Sequence, residues 1–137
     1  MHAVLVDAGP MVALLDRSDP DHELCRRALT TIRDPLVTAW PAITEAMYLL
    51  GRVSWAAQDS LWEFIEHVRV LPLGERDAPR MRALMEKYRS LPMDVADAAI
   101  VALAEREVIR RVFTLDVGDF RLYRPAGIGR FSLLPSD

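Results

Sequence analysis

Four acidic residues recur at equivalent places along this 137-residue chain. Asp7, Glu45, Asp97 and Asp116 each lie at or just after the carboxyl end of an expected strand, or in the opening turns of a helix that follows one. Asp94 stands three residues before Asp97, so the two share one face of a helix's first turn. There the helix dipole and its free N–H groups tolerate negative charge. Open α/β sheets present their sites at the carboxyl ends of strands, so these acids can converge. Convergence has a chemical consequence. Burying several carboxylates without matching lysine costs several kcal/mol per ion unless a cation compensates, and oxygen ligands select Mg²⁺ or Mn²⁺. Zn²⁺ is disfavoured in a chain with one cysteine, Cys25, and no clustered histidine. No nucleophile triad stands out: His22 follows Asp19-Pro20-Asp21 in a helix's first turn and reads as a surface residue, while His2 and His67 have no partner spacing.

Each acid taken alone has a plainer reading. Asp7 serves as a turn former, Asp94 as a helix N-cap, Asp116 as a strand terminator and Glu45 as a solvated helix charge. Glu45 fits that reading least, because Met47, Tyr48, Leu49 and Leu50 follow it. Recurrence at one edge of an alternating pattern favours the joint reading.

The elements that must position the acids follow from periodicity and punctuation. Ala3 to Val6 is a short apolar strand ended by Asp7, with MVALLD continuing as a helix. Asp19 before Pro20 predicts an N-cap and a helix to about Ile32. Leu36 to Thr38 is a second strand, and Pro41 opens a helix that carries Glu45 and ends at Gly51. Ser54 caps a helix with Trp55, Leu61, Trp62, Phe64 and Ile65 at helical spacing, and Val68 to Leu71 is a third strand. Glu75 or Asp77 begins a helix reaching about Arg89. Pro92 and Asp94 mark the start of a nearly all-apolar helix, and Val112 and Phe113 lead a strand to Thr114 and Asp116, after which a polar loop is expected. Phe131 to Leu134 adds a last strand. Strands alternating with helices predict a three-layer α/β/α sandwich with a central, mainly parallel sheet, as one domain over 1–137 without internal repeats.

Composition is compatible with that architecture. A 51% hydrophobic content at this length supports one sizeable core. No apolar run approaches the ~20 residues needed to span a bilayer, and MHAVLVDAG lacks a signal-like pattern, so the expectation is a cytoplasmic protein. Cys25 excludes an internal disulfide and falls in an amphipathic helical pattern, where a buried or half-buried thiol is expected rather than a nucleophile. The net charge is −3, yet Lys87 is the only lysine. The positive charge is otherwise arginine, whose planar fork suits phosphate and carboxylate.

The blocks VDAGPMVALLD, ITEAMYLL, VADAAIVALAE and FTLDVGDF, in this order, resemble the acidic blocks of the PIN-domain ribonucleases, most closely the VapC-type toxins of bacterial toxin–antitoxin pairs. The likeness spans nearly the whole chain, and its most specific parts are DxxDA before the apolar helix and TxDxxDF after it. Carried over residue by residue, it implies catalytic acids at Asp7, Glu45, Asp97 and Asp116, with Asp7, Asp97 and Asp116 as metal ligands. Asp94 and Thr114 would support them. The family often has Thr or Ser after its first Asp, where this chain has Ala8. The resemblance implies Mg²⁺-dependent cleavage of RNA phosphodiester bonds, with Mn²⁺ as a substitute. It also implies a homodimer and a cognate antitoxin that covers the acidic cleft. Trp40, Met47, Tyr48, Trp55, Trp62, Phe64 and Ile65 are more large side chains than two helices usually bury alone, so helices around residues 41 to 67 are expected to face a partner.

Other functions fit less well. A phospho-acceptor signalling domain wants an Asp ending its third strand and a late Lys; Leu71-Pro72-Leu73-Gly74 and a lysine-free carboxyl end supply neither. An aspartate-nucleophile phosphatase wants a second Asp where Gly9 stands, and AGPMVA lacks a dinucleotide-binding glycine turn. The rival that accounts for the same acids is a PIN-like fold kept for RNA binding or regulation without catalysis.

Overall fold

Five short strands, β1 (Val4–Val6), β2 (Leu36–Thr38), β3 (Arg69–Val70), β4 (Arg111–Phe113) and β5 (Ser132–Leu134), form one sheet ordered β3-β2-β1-β4-β5, with every pairing parallel. The structure, a computed structural model, describes residues 1–135; the last two residues of the expected domain lie outside it. Central β1 is completely buried, as a strand covered on both faces must be. The chain runs from β1 outward to β2 and β3, then returns to β4 on β1's other side. With right-handed crossovers, that reversal places helices on both faces and opens a crevice beyond the carboxyl ends of β1 and β4.

Seven helices surround the sheet among the described residues: α1 (Ala8–Leu15), α2 (His22–Thr31), α3 (Trp40–Gly51), α4 (Trp55–Ile65), α5 (Ala78–Lys87), α6 (Val95–Glu107) and α7 (Val117–Leu122). In α6, Ala96 to Ala104 are all buried, which its continuous apolar run requires. Ser54 caps α4 by accepting from the Ala57 N–H at 3.0 Å. Cys25 is buried in α2 against the core, and burial pushes its thiol up to about 11.

Several expected boundaries shift for local reasons. α2 begins at His22, not Pro20: the Asp19 carboxylate accepts the Asp21 N–H at 2.8 Å and its carbonyl accepts from His22 at 3.0 Å, so Asp19 closes a turn before the helix. His22 is not a surface residue either. Half-buried, its Nδ1 pairs with the Ala13 carbonyl at 2.8 Å and ties α2 to α1. The helix expected from Glu75 to Arg89 is divided into a 3₁₀ turn, Glu75–Asp77, and α5. The polar loop expected after Asp116 is helix α7. Six residues that include Gly118 carry little helical signal of their own. What holds them is Phe120, completely buried with its ring 5.8 Å from Phe131 and 5.0 Å from Tyr123. No helix among the described residues is long and apolar enough to cross a membrane.

Candidate active site

β1 ends at Val6, and the residue that follows must leave the sheet and start a helix. Asp7 does both. Its backbone N–H still pairs with the Phe113 carbonyl at 2.9 Å, while its Oδ1 accepts from the Ala8 N–H at 2.8 Å as the N-cap of α1. One strand over, β4 ends in Thr114, whose hydroxyl donates to Asp7 Oδ2 at 2.8 Å and accepts from the Asp116 N–H at 3.0 Å. Thr114 is completely buried and so fixes the spacing between two acids 109 positions apart in sequence, Asp7 and Asp116.

α6 brings the next pair. Asp94 is its N-cap, with Oδ1 accepting from the Asp97 N–H at 2.8 Å, and Asp97 sits in the buried first turn. Asp94 therefore caps the helix as expected and also lines the same cleft as Asp97. Glu45 comes from the second turn of α3, which packs on both α1 and α6. Ala46 and Leu50 are buried, whereas Glu45 is exposed and lines the cleft. Asp7, Glu45, Asp94, Asp97 and Asp116 thus meet with Ala8, Gly9 and Leu115 around one cleft of about 400 Å³. Larger grooves nearby are lined mainly by apolar residues, such as Pro41, Leu73, Met81, Met85 and Val95. Chemistry, not size, singles out the acidic cleft.

The carboxyls act on one another. Burial pushes Asp7 up, the Thr114 hydroxyl and Ala8 amide pull it back in part, and the charge of Asp94 adds to the rise. Asp97 is pushed up to about 7, first by burial and then by Asp94 and Asp7. Glu45 is raised by burial and then by Asp94, Asp7 and Asp116. Asp116 is raised by burial and then by the adjacent Asp119. Among the described residues, no lysine or arginine lines the cleft to offset this charge. Among the described residues, no three acidic, histidine or cysteine side chains close on a single point as a finished metal cage; the carboxylates ring an open space. An all-oxygen, uncompensated donor set of this kind fits a hard divalent cation that keeps part of its water.

Two residues near the acids had no assigned part in the sequence. Asp119, in α7, stands against Asp116. Tyr123, completely buried, donates its hydroxyl to Asp97 Oδ2 at 3.1 Å, and burial together with that carboxylate raises its phenol well above the usual range. The final acid of TxDxxDF is a local signal for Asp119; nothing local marks Tyr123.

A PIN-domain family model matches residues 4–124. The chain is 28% identical over 141 residues to Ribonuclease VapC26 of Mycobacterium tuberculosis, covering 96% of this chain and all of that one. Among solved structures, the fold is similar to that of VapC20 of Mycobacterium tuberculosis, a sarcin-ricin loop cleaving toxin, with a TM-score of 0.77 at 17% identity over 85% of this chain and 93% of that one. It is also similar to a chain of a toxin–antitoxin complex from Klebsiella pneumoniae, with a TM-score of 0.68 at 19% identity over 94% and 95% of the two chains. The family match takes in every acid that rings the cleft: this chain belongs to the PIN-domain family.

Proposed function

We propose that this chain is an endoribonuclease dependent on Mg²⁺, with Mn²⁺ as a substitute, and the toxin of a toxin–antitoxin pair. The observation that carries the reading is the cleft itself: five carboxylates gathered at a sheet's switch point, with no basic side chain lining it among the described residues. The similarity to a ribonuclease along the whole chain supports the choice of reaction. Fold neighbours that are toxins and toxin–antitoxin complexes support the choice of role.

Asp7, Asp97 and Asp116 would hold the metal, with Asp94 beside them. When bound, the cation supplies a more acidic water and positive charge against the phosphoryl oxygens. Thr114 keeps Asp7 and Asp116 in register, supplying a hydroxyl where Ala8 offers none. Glu45, on the wall formed by α3, would contribute to a second metal or to positioning the water. Incubating total RNA with purified protein, in Mg²⁺ and again with chelator, tests the reading; RNA left intact in both Mg²⁺ and Mn²⁺ rejects it in favour of a binding or regulatory PIN protein.

The partners are a second copy and an antitoxin segment. Met47, Phe64 and Ile65 pack partly on the core, but Trp40, Tyr48, Trp55 and Trp62 remain exposed, Tyr48 by 70% and Trp55 by 68%. An antitoxin arginine in the cleft would match its charge and keep the cation out. Sedimentation as a stable monomer, with antitoxin binding unaltered by Trp55→Glu or Trp62→Glu, would count against this surface.

A further inference from the structure

We infer that Tyr123 is a positioning residue whose phenol holds the Asp97 carboxylate in the orientation a divalent cation requires; the inference rests on the metal-dependent reading above. Asp97 lines the cleft and is pressed by the negative charges of Asp94 and Asp7, which favour any side-chain rotation that carries it away from them. The Tyr123 hydroxyl, donating to Oδ2 at 3.1 Å, opposes that rotation. The phenol itself has no room to swing. Its ring meets Phe120 edge-on at 5.0 Å and 72°, and Tyr88 at 5.0 Å and 62°. Tyr88 belongs to the same aromatic cluster but uses its hydroxyl elsewhere, accepting the Arg124 N–H at 2.7 Å.

The arrangement also gives the short helix α7 a place in the site. Asp116 is its N-cap residue and Tyr123 its C-cap residue, so both ends touch the acid cluster, one by lining the cleft and the other by gripping Asp97. Phe120 between them anchors the strap in the core. Hydrogen bonds to a metal-binding carboxylate are worth about 10–100-fold in metal affinity.

Tyr123→Phe keeps the ring and its packing and removes only the donor. Mn²⁺ binding to the full chain, measured without RNA by titration calorimetry or by the electron paramagnetic resonance of free Mn²⁺, is expected to weaken about 10-fold or more. The metal concentration for half-maximal RNA cleavage should rise in parallel, while the rate at saturating metal stays near wild type. Tyr88→Phe removes a phenol from the same cluster without touching Asp97 and should leave Mn²⁺ affinity unchanged. Equal affinity in Tyr123→Phe and wild type overturns the inference alone, as does equal weakening by Tyr88→Phe. A Tyr123→Phe chain that no longer folds assigns the phenol to the core and also overturns it. Wild-type protein that binds no Mn²⁺ overturns both this inference and the reading beneath it.

Discussion

Helix α6 carries acids at both of its ends, and the two ends treat them in opposite ways. Near its C-terminal end, Glu105 takes a two-pronged contact from Arg80 at 2.7 and 2.8 Å and accepts the Ala126 N–H at 2.7 Å. Burial works to raise its carboxyl, yet Arg80 and that amide together hold it below the usual range. Arg106, one residue on, pairs with Asp77, whose carboxyl is likewise held low, chiefly by the Gly74 N–H. At the N-terminal end, Asp97 and its neighbours have each other for company, and the carboxyls of Asp97, Asp7 and Glu45 are raised. One helix therefore separates acids that the fold neutralises from acids that it leaves short of positive charge. The chain has 17 basic residues, so the shortage in the cleft reflects placement, not supply. On the function proposed above, acids kept this way would be held for a cation that comes from outside the chain.

The sharpest way to break the comparison is to remove one carboxylate from each end. Asp97→Asn should lower RNA cleavage by on the order of 100-fold or more, since even hydrogen-bond partners of metal ligands are worth up to about that much. It should also abolish the rise in melting temperature that Mg²⁺ produces in the wild type by mass action. Glu105→Gln should cleave RNA as the wild type does. Cleavage by Asp97→Asn at the wild-type rate, or an undiminished Mg²⁺ shift, would remove Asp97 from the site.

A pH series without metal sharpens it further. Because Asp97 has a folded value of about 7, above its unfolded value near 3.8, the folded state binds the extra proton between those limits. Stability from this group is complete below about pH 4 and is lost as the pH rises through 7; Asp7, Glu45 and Asp116, all raised first by burial, act in the same direction. Full conversion of the Asp97 shift would give about 4 kcal/mol, but the carboxyl borders an open, hydrated cleft, so about 1–2 kcal/mol is expected. Asp77 and Glu105 have the opposite sign: their stability is present above their unfolded values and is lost as the pH falls through the lowered folded ones. Thermal melts of the metal-free protein should therefore show a maximum near pH 4–5, roughly where the two windows meet. Asp97→Asn should flatten only the neutral limb and raise the melting temperature at pH 7. A neutral limb unchanged in that variant would sink the account.

The smallest effect is at the paired end. Glu105→Gln removes the same unit of charge from the same helix but should destabilise the protein by about 0.5–1 kcal/mol at pH 7, the scale of a partly exposed ion pair. Opposite signs for Asp97→Asn and Glu105→Gln in one set of metal-free melts are the expected result; matching signs would mean that the two ends do not differ electrostatically.

Much of this was legible in the chain itself. Apolar runs marked all five strands to within one or two residues, Asp94 and Ser54 capped the helices they were expected to cap, and the four recurring acids all reached the cleft. These features are local: a strand's alternation, a cap's hydrogen bond and an acid's place after a strand are set by residues within a few positions of one another. α7 was not legible, because Gly118 and two acids in and before it give a loop's composition, and only the burial of Phe120 stabilises the helix.

The long-range neighbours of each acid were decided by tertiary structure alone. Strand order made β1 and β4 adjacent, so that Thr114 reaches Asp7 across 107 residues, and the close of α7 set Tyr123 on Asp97 across 26. The raised carboxyls share that origin in their largest cause, since desolvation comes with the packing of segments distant in sequence, while Asp94 and Asp119 press on Asp97 and Asp116 from three residues away. Local sequence determined which residues could serve the site; the sheet's reversal beside β1 decided which of them touch, because contact between distant segments depends on the order of strands and not on any period within them.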